Sequence, residues 1–342
     1  MEISWKIVSL PLASTFVISK GAFTHRRAMI LKLSLDGFSG LGEATEITYY
    51  GISLDRFEGI IQQSLPKLQG IELTTPEEYF FKISPLLGSE PFLLNAFDCA
   101  AHDLYGQMQH KSTREVLNLE LRDDLPQSSF TIGIGPVDEM VEKIRQKPWP
   151  VYKIKLGTEN DLAIMKALRQ ETDAILRVDA NGGWSAEQTV ELSRAFAELD
   201  VEFIEQPLAR DHDNIMPEII GRSPLPLIAD ESCQTYKDVE TCRGKFTGIN
   251  IKLMKCGGLT PALHMIEKAR KLGLKIMVGC MTETSIGISA AAQLVPLVDY
   301  VDLDGSLLIK EDIASGAHLR NGWVIFPEGY GLGCKLLKEH SF

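Results

Sequence analysis

Charged side chains recur at the ends of short apolar segments along the second half of this sequence. In chain order they are Lys153 and Lys155, Asp179, Glu205, Asp230, Lys252, and Asp302 with Asp304. From Lys155 to Lys252 these positions recur at intervals that fit one strand followed by one helix. If the segments are strands of a parallel barrel, their carboxyl ends meet on one face, where barrel enzymes place their active sites.

Three consecutive units each supply one carboxylate, namely Asp179, Glu205 and Asp230. Three carboxylates packed at one place repel one another strongly unless a cation neutralises them. Oxygen ligands without cysteine or histidine beside them favour Mg²⁺, or else Mn²⁺, over zinc. The alternative is that each acidic residue only caps the helix that follows it. Because the pattern occurs in three successive units, the sequence predicts a metal site.

Lysines flank this carboxylate group in strand order. Lys153 and Lys155 are two residues apart on one predicted strand, so both side chains point to the same face. Lys252 lies on the other side of the carboxylates. A lysine beside a metal ion and another ammonium has its charged form disfavoured, which brings its pKa toward use as a base near neutral pH. Each lysine alone is more typical of a salt bridge, but placed across a metal site they predict an acid/base pair.

The elements that must position these residues follow from the hydrophobic pattern. Strand-like segments alternate with amphipathic helical stretches over residues 126–310, which predicts a TIM-like (β/α)7β barrel of the α/β class. A doubly wound open sheet is the competing architecture, but no GxGxxG or GxxxxGK[ST] loop supports it. Residues 1–125 show strands followed by helices, typical of an α+β capping domain. We expect the Gly-rich segment 311–342 to return to this cap.

The composition excludes several classes of protein. The 342 residues carry a net charge of −11, which argues against nucleic-acid binding. No segment approaches the roughly 20 apolar residues of a membrane span, and the first residues contain no signal-peptide apolar region. Six cysteines lie far apart without a CxxC pair, so a disulfide framework is not expected. These features predict a cytoplasmic protein without a membrane or nucleic-acid partner.

The segments KIKLG, RVDANGGW, IEQPL, ADES and NIKLMKCGG, in this order and spacing, resemble the enolase superfamily in its muconate-lactonizing-enzyme subgroup. The resemblance covers nearly the whole chain. It implies Mg²⁺ as the cofactor, with ligands and catalysts at these positions: Asp179, Glu205 and Asp230 as ligands, Lys155 and Lys252 as acid/base catalysts, and Lys153 as an electrostatic and hydrogen-bonding assistant. Lys255 rivals Lys252, but we expect Lys255 in the loop after the strand. The segment KIMVGCMTET lacks the histidine of the mandelate-racemase subgroup.

The pair Asp302 and Asp304 resembles the DxD signature of dipeptide epimerases. In those enzymes the pair holds the α-ammonium of the first residue of the dipeptide. The alternative is that Asp304 and Gly305 only form a turn. Within the whole constellation, the resemblance implies a dipeptide as the substrate.

The loop between the first two strands, STFVISKGAFTHRR, is expected to contact the second residue of that dipeptide. Ala-Glu epimerases of the family place an arginine in this loop, whereas our alignment places Gly21 there. This difference favours a small or apolar second residue, such as alanine. Tyr49 and Tyr50 are expected in a second capping loop. The residues expected to form the pocket for the second side chain are Gly21, Ile18, Phe23 and Ile47.

Together these features predict an isomerase, namely a dipeptide epimerase acting at the α-carbon of the C-terminal residue. The resemblance also implies a homo-oligomer, because even-numbered assemblies are common in the family. One alternative is a cycloisomerase or o-succinylbenzoate synthase of the same subgroup, whose substrates carry no ammonium. A more distant alternative is a Schiff-base lyase that uses one lysine as a nucleophile, but this leaves the three carboxylates unexplained. A barrel without catalytic activity, serving as a binding scaffold, need not retain both lysines and all three carboxylates.

Overall fold

The structure is a computed structural model that describes residues 1–18, 21–88 and 90–342. The side chain of Ile18 and the whole of Lys20, both expected near the substrate, lie outside this description. Among the described residues, no helix combines the length and the apolar character required to cross a lipid bilayer.

An antiparallel sheet and four helices form the N-terminal cap. The elements are β1 (Glu2–Ile18), β2 (Gly21–Leu35), β3 (Phe38–Thr45), α1 (Leu54–Gln69), α2 (Pro76–Leu87), α3 (Pro91–Gln109) and α4 (Thr113–Val116). The predicted turn between β2 and β3 is present, with positive φ at Asp36 and Gly37. Helix α3 packs so closely on the sheet that a Cβ atom at Gly42 would lie 1.9 Å from the carbonyl oxygen of Ala96, so this position requires glycine.

Eight parallel strands follow, and each is hydrogen-bonded to its neighbours in chain order. They are β4 (Phe130–Ile132), β5 (Val151–Lys155), β6 (Ile175–Asp179), β7 (Val201–Glu205), β8 (Leu227–Ala229), β9 (Gly248–Lys252), β10 (Lys275–Gly279) and β11 (Tyr300–Asp302). The N–H of Ser129, directly before β4, donates to the carbonyl oxygen of Val301 in β11 at 3.1 Å. The last strand therefore meets the first, and the predicted barrel is confirmed.

Helices surround this barrel because each has one apolar side that packs on the strands. They are α5 (Val137–Gln146), α6 (Asp161–Glu171), α7 (Ala186–Ala197), α8 (Met216–Ile220), α9 (Tyr236–Cys242), α10 (Leu253–Cys256), α11 (Leu259–Lys271) and α12 (Ser285–Ala292). Met140 and Ile144, one helical turn apart in α5, show the pattern, since both are buried. Helix α7 begins with a capping box in which Ser185 and Gln188 satisfy each other's backbone N–H groups.

The C-terminal segment returns to the cap. It contains four short strands, β12 (Ala314–Ser315), β13 (His318–Arg320), β14 (Trp323–Ile325) and β15 (Lys335–Leu336). The carboxylate of Asp103 in α3 accepts hydrogen bonds from the backbone N–H of Leu332 at 2.7 Å and of Leu41 at 2.8 Å. One buried side chain thus joins the tail to the cap sheet. The exact domain boundaries at residues 125 and 310 stay a prediction.

The cap is fastened to the barrel beside the carboxyl ends of the strands. Glu43 of β3 accepts hydrogen bonds from the N–H groups of Thr284 at 3.1 Å and of Gly287 at 3.2 Å, at the N-terminus of α12. A helix N-terminus favours a negative charge. Met254 and Met281 of the barrel also belong to the apolar core of the cap. The cap is therefore held over the face on which the charged strand ends lie.

Candidate active site

The barrel brings Asp179, Glu205 and Asp230 together. Asp179 ends β6, Glu205 ends β7, and Asp230 directly follows β8. One carboxylate oxygen from each residue lies within 4.8 Å of those of the other two, and all three residues are buried. The regular interval in the sequence therefore corresponds to a real cluster of carboxylates, which we call the carboxylate trio.

The carboxylate trio fits a hard divalent cation. Among the described residues, no donor with hydrogen-bond geometry meets Glu205 Oε2, although Lys153 Nζ lies 2.7 Å away. Burial and the charge of Asp179 raise the pKa of Glu205 to about 7. The trio thus holds more negative charge than its buried surroundings accommodate, and an ion such as Mg²⁺ would offset it. Mn²⁺ accepts the same oxygen ligands.

Lys153 is a cation fixed among carboxylates. Its Nζ lies 2.7 Å from Glu205 Oε2, 2.9 Å from Asp302 Oδ2 and 3.1 Å from Asp179 Oδ2. Burial by itself disfavours the charged amine, but these carboxylates outweigh burial and hold the pKa of Lys153 well above its usual value. The side chain is therefore a permanently charged hydrogen-bond donor, because it is surrounded by acceptors.

Lys155 and Lys252 line one cavity from different sides. Lys155 Nζ donates to Asp179 Oδ2 at 2.6 Å, and Lys252 Nζ donates to Asp230 Oδ2 at 2.8 Å. Their strands β5 and β9 are separated by the three strands that supply the carboxylate trio. Two amines therefore face the same space across the trio, in the arrangement that strand order predicted.

Carboxylates and a second ammonium surround Lys252. The expected lowering of a lysine pKa refers to a lysine beside both Mg²⁺ and another ammonium, and it stays a prediction. Burial does disfavour the charged form, but Asp230 and Glu205 outweigh both burial and the neighbouring Lys153, and the pKa is raised well above its usual value. In this structure the carboxylates, rather than another cation, dominate the surroundings of Lys252.

Lys255 does not face the cavity, and its expected position in a loop was wrong. It lies in α10 and is almost fully buried. Its Nζ donates to Asp230 Oδ1 and to three backbone carbonyl oxygens, those of Asp230 at 2.7 Å, Asn250 at 3.1 Å and Cys233 at 3.2 Å. All its donors are used, so Lys255 fixes Asp230 in place. The choice of Lys252 over Lys255 as the cavity lysine agrees with this geometry.

Asp302 and Asp304 form another wall of the cavity. Asp302 accepts hydrogen bonds from Lys153 Nζ at 2.9 Å and from Ser129 Oγ at 2.6 Å. Asp304 accepts one from the N–H of Thr131 at 2.6 Å. Burial and the charge of Asp302 raise the pKa of Asp304 to about 7. A cationic group placed here would stabilise the ionised form of Asp304.

The cap covers the cavity with Arg26, Ile47, Tyr49 and Tyr50. Both tyrosines lie in the 3₁₀ turn Thr48–Tyr50, so the expected second capping loop does reach the cavity. Arg26 is buried, and its Nη1 donates to the carbonyl oxygen of Glu46 at 3.0 Å.

Two expected pocket residues, Gly21 and Phe23, do not line the cavity as the described residues define it. Gly21 lies exposed at the start of β2, where its φ is +140°. The guanidinium of Arg26 lies 4.9 Å from the centroid of the Phe23 ring, so Phe23 supports a lining residue rather than facing the cavity itself.

The sequence reasoning overlooked three polar residues of this site. Asn181 and Glu231 line the cavity, and Asn181 Nδ2 lies 3.4 Å from Glu231 Oε1. Asn250 Nδ2 donates to Glu205 Oε1 at 2.6 Å. Asn250 has the strand parity of Lys252, and Glu231 directly follows Asp230, so a signal for these two was present in the sequence. Arg26 lies in the segment STFVISKGAFTHRR, shortly after Gly21, so the sequence placed it in the expected specificity loop.

Comparisons with known proteins point to one family. Residues 137–340 match the family described as Enolase C-terminal domain-like. The chain is 48% identical over 337 residues to an L-Ala-D/L-amino acid epimerase of Maribacter sp., covering 98% of this chain and 99% of that protein. It is 44% identical over 341 residues to a protein of the same name from Flavobacterium johnsoniae, covering 98% and 100%.

A solved structure is similar over almost the whole chain. It is a dipeptide epimerase from Cytophaga hutchinsonii, complexed with Mg and the dipeptide D-Ala-L-Val. The two structures superpose with a TM-score of 0.93 at 26% sequence identity, covering 99% of this chain and 96% of the other. The similarity therefore includes the cap as well as the barrel.

Proposed function

Because this chain belongs to the enolase superfamily, among relatives that are dipeptide epimerases, we propose that it epimerises the α-carbon of the C-terminal residue of a dipeptide in a magnesium-dependent reaction. Its relatives are isomerases, and the chain is an isomerase of this kind. The observation that carries the proposal is the placement of Lys155 and Lys252, which face one cavity across the carboxylate trio. Two amines on opposite sides of one carbon are what a proton exchange with inversion requires.

The difficulty of the reaction lies in the charge that develops. A hydrogen next to a carboxylate is very weakly acidic, because its removal creates a second negative charge on the same group. Mg²⁺ held by Asp179, Glu205 and Asp230 would supply the electrostatic stabilisation of that charge. A lysine base combined with Mg²⁺ is the pattern of this superfamily.

Within this arrangement the two cavity lysines exchange protons with the substrate. One amine, in its neutral form, takes the α-proton from one face of the carbon. The other, in its protonated form, returns a proton to the opposite face, and the roles reverse for the other epimer. Lys153 does not exchange a proton in this scheme. Its raised pKa keeps it charged, so it serves as a fixed donor toward the developing negative charge.

Asp302 and Asp304 would hold the α-ammonium of the first residue. The raised pKa of Asp304 supports this, since a cation beside it relieves an unfavourable burial of charge. The substrates of a cycloisomerase or an o-succinylbenzoate synthase carry no ammonium and would leave this wall without a function. A Schiff-base lyase or a barrel without catalysis would likewise leave the carboxylate trio unexplained.

For the substrate we propose Ala-X dipeptides with a small or apolar second residue, such as Ala-Ala, rather than Ala-Glu. The apolar side chains of Ile47, Met281 and Leu308 line the catalytic cavity, whose volume is about 60 Å³. The relatives named L-Ala-D/L-amino acid epimerase support alanine as the first residue.

The test is isotope exchange. The protein is incubated with L-Ala-L-Ala in D₂O with Mg²⁺, and the C-terminal α-proton is followed by NMR. We expect loss of that signal and formation of L-Ala-D-Ala, both abolished by EDTA and restored by Mg²⁺ or Mn²⁺. The variants Asp302→Asn and Asp304→Asn should raise KM, because each weakens the hold on the ammonium. No exchange across a broad dipeptide library would refute the proposal, and indifference to both variants would favour a substrate without an ammonium.

A further inference from the structure

A second cavity of about 270 Å³ adjoins the catalytic cavity. The two cavities share three lining side chains, those of Phe16, Thr131 and Leu308. The second cavity lies between β1 of the cap, the end of β4 and the end of α5. It is larger than the catalytic cavity, which measures about 60 Å³. A ligand that fills the catalytic cavity therefore has room to extend in one direction, into the second cavity.

The second cavity begins beside the position where the proposed function places the ammonium of the substrate. Thr131 belongs to the wall between the cavities, and its N–H donates to Asp304 Oδ2 at 2.6 Å. In a dipeptide, the α-ammonium and the side chain of the first residue are attached to the same carbon. If Asp302 and Asp304 hold the ammonium, that side chain must start beside this wall. The second cavity adjoins this wall, because Thr131 lines both cavities.

The second cavity is a defined part of the fold, because cap and barrel close it together. The N–H of Ile134 donates to the carbonyl oxygen of Val17 in β1 at 3.1 Å. At Gly133, an added Cβ atom would lie 3.1 Å from the same oxygen, so the two backbones approach closely. This contact holds Ser14 and Thr15 over the cavity that they line.

The charged groups that line the second cavity are all positive. They are Lys143 and Lys147, and no aspartate or glutamate is among the described lining residues. Lys147 Nζ lies 4.3 Å from the centroid of the Phe130 ring and 5.5 Å from that of Trp149. Such cation–π contacts restrict the ammonium to one position. Lys147 is half-buried and near enough to Asp304 to be influenced by its charge.

We infer that the second cavity binds the side chain of the dipeptide's first residue, and that Lys147 makes it favour a side chain ending in a carboxylate. The chain would thus accept Glu-X dipeptides in addition to Ala-X, and would discriminate against Lys-X. This inference rests on the proposed function, and it adds a preference for the first residue. A carboxylate has an oppositely charged partner in Lys147, whereas a second ammonium there is repelled.

The experiment compares L-Ala-L-Ala, L-Glu-L-Ala, L-Gln-L-Ala and L-Lys-L-Ala in the isotope-exchange assay. We expect kcat/KM for Glu-Ala to exceed that for Lys-Ala by about tenfold or more, with Gln-Ala between them. In Lys147→Glu this order should reverse, with each kcat/KM expressed relative to that of Ala-Ala for the same variant. The Ala-Ala rate also reports that the variant is folded.

Two further variants complete the design. Lys147→Gln removes the charge without inverting it and should abolish the difference between Glu-Ala and Lys-Ala, which keeps the inference testable if Lys147→Glu does not fold. Lys166→Glu is the matched control, since Lys166 is an exposed lysine of α6 outside both cavities and its replacement changes the net charge equally. It should leave all four rates unchanged.

The possible failures are distinguishable. Normal turnover of Ala-Ala with equal rates for Glu-Ala and Lys-Ala, or an unchanged ratio in both Lys147 variants, would overturn the inference and leave the epimerase function intact. Absence of exchange with every dipeptide would overturn the proposed function and this inference with it. A change of the same size in Lys166→Glu would attribute the effect to overall charge and would also overturn it.

Discussion

Replacement of Asn250 by alanine should weaken Mg²⁺ binding without removing any proposed ligand. Asn250 is fully buried in β9, and its Nδ2 donates to Glu205 Oε1 at 2.6 Å. The short contact with a carboxylate fixes the orientation of the amide, since only the nitrogen can donate. The other oxygen of Glu205 lies beside Lys153 without hydrogen-bond geometry. Asn250 is therefore the residue that orients the Glu205 carboxylate toward the other two carboxylates of the trio.

The magnitude follows from the type of bond lost. A hydrogen bond to a charged group contributes about 1.5–3 kcal/mol, and loss of a partner that orients a metal ligand typically costs about 10- to 100-fold in metal affinity. We expect the dissociation constant for Mg²⁺ to rise by about that factor in Asn250→Ala. At saturating Mg²⁺ much of the activity should return, because Asn250 does not line the catalytic cavity.

The assay is calorimetric titration with Mg²⁺, together with the Mg²⁺ dependence of isotope exchange. Asn160→Ala is a suitable control, because Asn160 is exposed and its side chain makes no capping bond to α6. Circular dichroism should show the same fold for both variants. An unchanged Mg²⁺ dissociation constant in a folded Asn250→Ala protein would mean that Glu205 is not a metal ligand, or that Asn250 does not orient it.

Two further predictions concern the lysines and the cap. Lys155→Ala and Lys252→Ala should each reduce epimerisation by about 10²- to 10⁴-fold. Each variant should still exchange the α-proton of one epimer, L-Ala-L-Ala or L-Ala-D-Ala, but not of the other. Equal loss with both epimers in both variants would argue against one lysine per face. Burial raises the pKa of Glu43 to about 7, so the folded state binds more protons than the unfolded state between about pH 4.5 and 7, and the free energy of unfolding contributed by Glu43 falls as the pH rises through this window. Glu43→Gln should reduce this pH-dependent fall in the free energy of unfolding by something on the order of 3 kcal/mol. Urea denaturation at pH 5 and 7.5 measures the effect, and an identical pH dependence in both proteins would contradict the prediction.

The barrel and its strand-end residues could be predicted because both depend on local periodicity. One charged residue per strand-helix unit is visible in the sequence, and a parallel barrel converts that regular interval into one face. Asp179, Glu205 and Asp230 therefore meet as expected. The loop position predicted for Lys255 was wrong because the chain forms a short helix directly after β9. Gly257, with φ +104°, caps the end of this helix. The interval alone does not distinguish such a helix from a loop.

The cap side of the site could not be predicted for a different physical reason. The register between β1 and β2 shifts between Pro11 and Phe16, and a register shift changes which side chains face inward. Alternation counted along the sequence does not reveal such a shift. Arg26 lines the cavity, whereas Gly21 and Phe23, which an alignment of the loop selected, do not.

The charge balance of the cavity favours a bound cation. At the carboxyl ends of the barrel strands, six buried or nearly buried carboxylates face four lysine ammonium groups. The carboxylates are Asp179, Glu205, Asp230, Glu231, Asp302 and Asp304, and the amines are Lys153, Lys155, Lys252 and Lys255. Arg26 also lines the cavity, so the carboxylates outnumber the cationic groups by one. The carboxyl groups that do not have a close lysine hydrogen bond, including Glu205 and Glu231, have their pKa raised to about 7, mainly by burial. A buried cluster with an excess of negative charge is unfavourable without a counter-ion. Binding of a cation beside a substrate carboxylate would explain why the folded protein contains such a cluster.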